Sequence, residues 1–126
     1  MLFELKSNKS LAEIGKALEE SAARHQFGII AVHDLKATMA KKGVDYSGDC
    51  MIYEVCNPHQ AKKVLEANGA ISVALPCRIS VYRSGDEFRI ATLLPTELLG
   101  LFRSPELDPV AREVEQVMVA MMREAA

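Results

Sequence analysis

The chain has 126 residues, 49% of them hydrophobic and 25% charged, with a formal net charge of −2. That size and composition fit one globular domain over 1–126 whose core needs no disulfide staples. The charge gives no footprint for nucleic acid, no run approaches the ~18 apolar residues of a membrane span, and MLFELKSNKS lacks the pattern of a signal peptide.

LFELK (2–6) reads as a short strand. Ser10 followed by Glu13 reads as a capping box. It opens a helix in which Leu11, Ile14, Leu18 and Ala22 recur at helical spacing and Glu20 can pair with Arg24. Gly15 weakens that helix or admits a close neighbour. FGIIAVH (27–33) is a near-continuous apolar run, the pattern of a strand covered on both faces. DLKATMAKKG (34–43) supplies one or two helical turns ending at Gly43. CMIYEVC (50–56) alternates, with Met51, Tyr53 and Val55 on one face and Cys50, Ile52, Glu54 and Cys56 on the other.

Asn57-Pro58 supplies an N-cap and a first helical position. The helix it opens turns Ala61, Val64 and Leu65 inward and stops at Asn68-Gly69. Pro76 starts or interrupts a strand. CRISVYR (77–83), a turn at Ser84-Gly85-Asp86 and EFRIATL (87–93) form a hairpin that Pro95 ends. TELLGLF is a short helical turn, and Asp108-Pro109 caps and opens a last helix with Val110, Val114, Val117, Met118 and Met121 on one stripe.

The order β-α-β-β-α-β-β-α predicts an α+β domain with a largely antiparallel sheet and helices packed on one face. The apolar run 29–32, with Cys50 and Ile52, suggests that the other face is partly covered too, and self-association is one way to cover it.

Cys56 stands beside a helix start, where a thiolate can be stabilised and could attack, oxidise or bind metal; a buried packing role competes with that reading. Cys77 could meet it, although alternation puts Cys77 with Ile79 and Val81 and sets Cys56 on the face of Glu54. Cys50 lies about 20 Å from Cys56 along one strand, too far to bridge. Cys56 and His59 have C-x-x-H spacing but lack a fourth ligand, so no metal is expected. Glu54 is a carboxylate in an apolar strand and calls for a partner, Arg78 or Arg89, or a role in a ligand pocket. His25 reads as the exposed end of the first helix, and His33 beside Asp34 as a surface pair. Nucleotide and hydrolase signatures are absent, and no cofactor is expected. Three cysteines make no disulfide framework, so a cytoplasmic, reducing setting is expected.

Together, in this order, DLKATMAKKG from Asp34, CNP (Cys56-Asn57-Pro58) and LPCR (Leu75-Pro76-Cys77-Arg78) resemble the bacterial and archaeal family of domain of unknown function 302 (DUF302). The likeness spans roughly residues 1–124. The resemblance implies a compact α+β fold, a homodimer and no established activity. It carries over Asp34, Lys36, Cys56, Asn57, Pro58, Pro76 and Cys77 as motif positions. Members often have aspartate before the proline that ends the last strand, where this chain has Leu94.

The leading expectation is a non-enzymatic homodimeric module that binds a small ligand near Cys56-Asn57-Pro58 and Pro76-Cys77, with Glu54, Arg78, Asp34 and Lys36 as further candidates. A helix start favours an anion, a carboxylate or phosphate, with Arg78 as charge partner. Two alternatives stand beside it. One is a thiol-based redox or sulfur-handling protein with Cys56 as nucleophile and Cys77 as supporting thiol. The other is a purely structural or regulatory dimer.

Overall fold

A computed structural model describes residues 1–126. The strands are β1 (Leu2–Ser7), β2 (Gly28–Asp34), β3 (Cys50–Cys56), β4 (Cys77–Ser84) and β5 (Glu87–Leu93). The helices are α1 (Leu11–Arg24), α2 (Leu35–Lys41), α3 (Pro58–Ala67), α4 (Pro95–Gly100) and α5 (Asp108–Ala125). Residues Gly69–Ala74 and Pro105–Leu107 form 3-10 turns. The strands make one sheet in the order β1-β5-β4-β3-β2, with every neighbouring pair antiparallel. The domain is α+β, as the order of elements predicts.

Local chemistry accounts for most of the boundaries. Ser10 and Glu13 form the reciprocal capping box of α1. Asn57 caps α3 ahead of Pro58, and Asp34 caps α2 through the Ala37 N–H. α5 differs: Asp108 is its first residue, and Leu107 stands at the cap position with no side-chain bond. The preceding 3-10 turn feeds directly into the helix, so no aspartate cap is formed.

The main core lies between one sheet face and the pair α1 and α5. Tyr53, Val55, Ile79, Val81, Phe88 and Ile90 meet Ile14, Leu18 and Ala22 of α1 and Met118, Met121 and Met122 of α5. Alternation along each strand aims these residues at the helices. Gly15 admits a close neighbour, as its position in the helix predicts. A Cβ built there would sit 2.6 Å from the Tyr53 hydroxyl. A smaller core joins Val64, Ile71, Leu99, Leu107 and Ala111. Glu115 of α5 accepts from the N–H and hydroxyl of Thr96, which ties α4 to α5.

Further expectations are corrected. The apolar run 27–33 is not covered on both faces: β2 is an edge strand, Ile30 and Val32 are exposed, and its register slips between Ile29 and Ala31. Arg24 pairs with Glu124 of α5, at 2.9 Å, while Glu20 faces Lys16. Leu65 is exposed rather than turned inward, and only Val64 of α3 is fully buried. The second sheet face carries no helix. Cys50 and Ile52 lie half-buried on it among Glu4, Tyr82, Arg89, Glu54 and Arg78, so it is a mixed face and not an apolar one.

Candidate functional site

The end of the sheet where β3 stops and β4 begins is not filled by α1. α3, the 3-10 turn Gly69–Ala74, α4 and the start of α5 close around it instead, leaving a cavity of about 470 Å³. Pockets that take small organic molecules have volumes of roughly 300–1,000 Å³. Its wall is mainly apolar, with Phe27 and Val55 at the sheet, Val64 on α3, and Leu99 and Val110 on the last two helices. Cys56, Asn57, Pro76, Cys77 and Arg78 also line it. The two motifs CNP and LPCR, separated by sixteen residues in sequence, thus meet at one opening. The β3–β4 pairing brings them there, since Val55 lies opposite Cys77 and Glu54 opposite Arg78.

Asn57 is committed to the helix. Its Oδ1 accepts from the His59 and Gln60 N–H groups at 3.0 and 3.2 Å, and its carbonyl accepts from Ala61. Pro58 has no N–H to offer. The start of α3 therefore has no spare donor among these residues for an anion. Thr92 donates its hydroxyl to the Arg78 carbonyl at 2.6 Å and fixes the β4–β5 wall. The Gln60 Oε1 is buried without a hydrogen-bond partner.

Burial sets the state of both thiols. The Cys77 thiol is pushed up from 9.0 to about 11, by burial first and by the neighbouring Cys56 second. Burial also raises Cys56. The helix start does not overcome desolvation here, so both sulfurs enter the cavity wall as neutral thiols at neutral pH. All three cysteines are free.

The remaining candidates lie elsewhere. Glu54 faces the uncovered side of the sheet and pairs with Arg78 at 3.5 Å and His33 at 3.3 Å, not with Arg89. Arg89 serves Glu4 and Glu87. Asp34 and Lys36 stand at the far end of β2, where Asp34 pairs opposite Met51, about 17 Å along the strand from Cys56. Asp34 caps α2 and Lys36 pairs with Asp49 at 3.6 Å. They belong to the architecture of that corner and do not join the cavity. His33 lies against Glu54, at 3.3 Å, rather than against Asp34, and His25 at the end of α1 pairs with Glu124. No group of metal-binding side chains assembles.

Leu94 occupies the N-cap position of α4 and makes no side-chain bond. An aspartate there would cap the helix; in this chain Glu115 takes the Thr96 N–H from across the domain. Cavity residues that sequence patterning did not single out include Gln60, Val73, Thr92, Leu98 and Leu99. Their convergence depends on packing between distant elements, and no local motif marks it.

Residues 3–125 match the family described as "Domain of unknown function DUF302". The solved structure titled "Crystal structure of uncharacterized conserved protein DUF302 from Bacillus stearothermophilus" shares the architecture, with a TM-score of 0.93 and 29% sequence identity over 99% of this chain and 98% of that one. No curated protein matches the chain.

Proposed function

The chain belongs to the DUF302 family, and we propose that it is a binding module, not an enzyme, which holds a small and largely apolar molecule in the cavity at the Cys56-Asn57-Pro58 and Pro76-Cys77 motifs. The cavity itself carries this reading: it has the volume of a ligand site, an apolar wall and few polar groups. The helix start itself is not where an anionic group would be held, because Asn57 already occupies the first N–H groups of α3.

Fluorescence of N-phenylnaphthylamine, a neutral apolar dye, tests the proposal. The protein should enhance the dye saturably, and Ala61→Phe, which fills the cavity from α3, should abolish the enhancement while leaving the thermal transition cooperative. A dye signal unchanged by that substitution would place binding elsewhere and sink the reading.

Thiol chemistry at Cys56 and Cys77 has less support, since burial holds both sulfurs protonated. Their free state suits a reducing cytoplasm. No helix is long and apolar enough to cross a membrane. The homodimer expected from the family resemblance remains part of the proposal. The uncovered sheet face supports it: Glu4, Glu54 and Glu87 there are balanced by Lys6, Arg78 and Arg89, and no helix lies over it.

A further inference from the structure

The side chains at the cavity mouth narrow the ligand class, and this step rests on the cavity being a binding site. Leu65, Val73 and Leu93 line the cavity and yet are 42%, 81% and 48% exposed, so they form its rim. Leu2 pairs opposite Leu93 and extends the apolar rim outward. Exposed apolar side chains gathered around an apolar opening mark a place where apolar matter continues from inside to outside. A compact ligand swallowed whole would leave this rim without a role.

One ionic residue lines the same cavity. Arg78 is exposed where β4 begins at the mouth, its backbone fixed by the Thr92 hydroxyl on its carbonyl and its side chain on the Glu54 side of the sheet. Its Nε faces Glu54 at 3.5 Å, and its guanidinium makes no hydrogen bond within the chain. A guanidinium carries several N–H donors in a planar fork that matches a carboxylate. Glu54 also has the His33 ring nitrogen 3.3 Å away, so Arg78 is not its sole neighbour.

We propose that the ligand is an acyl-chain carboxylate, with its tail in the cavity and along the rim and its carboxylate on the free edge of the Arg78 guanidinium. The tail takes the apolar wall, and the head stays at the mouth where it keeps part of its hydration. No covalent step is involved.

Displacement of N-phenylnaphthylamine by decanoate and by decanol tests this, since the two share a tail and differ in the head. Decanoate should displace the dye at a concentration roughly tenfold lower, the scale of a charge-assisted hydrogen bond. Arg78→Gln should erase that preference by weakening decanoate, and Arg78→Lys should retain part of it. Equal displacement by the two compounds would overturn the acyl-carboxylate assignment while leaving the cavity reading intact. A preference that survives in Arg78→Gln would overturn the role of Arg78. A protein that binds no dye would remove the cavity reading and this inference with it.

Discussion

At the scale of single residues, Cys77 makes the sharpest statement. Its folded-state thiol titrates at about 11 against an ordinary value of 9.0. The neutral form is the one that the fold accommodates. The stability it contributes is therefore complete below pH ~9 and is lost as pH rises through about 11, because the unfolded thiol releases its proton first. Urea unfolding across that window should show stability falling with pH, and Cys77→Ala should flatten the fall. A slope unaffected by the substitution would mean that other groups dominate. Asn57-Pro58 was legible in the sequence because capping involves only neighbours along the chain. The protonated state of Cys77 was not, since desolvation depends on what distant elements bring to its side.

At the scale of elements, the contact between α1 and β3 opposes helix propensity. Alanine in a helix interior is favoured over glycine by about 1 kcal/mol. At position 15, however, the added methyl would lie 2.6 Å from the hydroxyl of Tyr53, a rigid and buried side chain. Gly15→Ala should thus destabilise, by about 1–3 kcal/mol, and Tyr53→Phe in the same chain should recover much of the loss. Denaturation midpoints of the two single variants and the double variant would measure that coupling; strict additivity would show that the contact is slack. Periodicity found α1, α3 and α5 because one stripe of each helix faces a core. It misjudged β2, since a continuous apolar run looks the same in a central strand and in an edge strand whose register slips. The exposed Ile30 and the shift between Ile29 and Ala31 separate the two cases only in three dimensions. The pairing of Arg24 with Glu124 across 100 positions was hidden for the same reason, whereas Glu20 lay within one turn.

At the scale of the whole molecule, one face of the sheet has α1 and α5 over it and the other has none. If two chains join through that bare face, its neutral middle around Ile52 and Ser80 would be buried between them. Sedimentation velocity should then give a dimer, and Ile52→Lys, placing a charge in that middle, should give a monomer that still melts cooperatively. A wild-type monomer at every concentration would remove the dimer from the proposal. The element order was enough to predict the antiparallel sheet and its helix-bearing face. It could not locate the cavity, which forms where α1 fails to reach and four later segments meet.

The strand order carries a consequence for time as well as for shape. From β2 to β5 each strand pairs with its successor in the chain, so that part of the sheet can zip up from contacts that are near in sequence. β1 is the exception: Leu2 finds Leu93 only after a loop of nearly the whole domain has closed. Closing a long loop carries a larger entropic cost and slows the pairing that depends on it. Leu2 extends the rim of the cavity through that same pairing. The rim of the mouth is therefore completed by the pairing of longest range in the sheet.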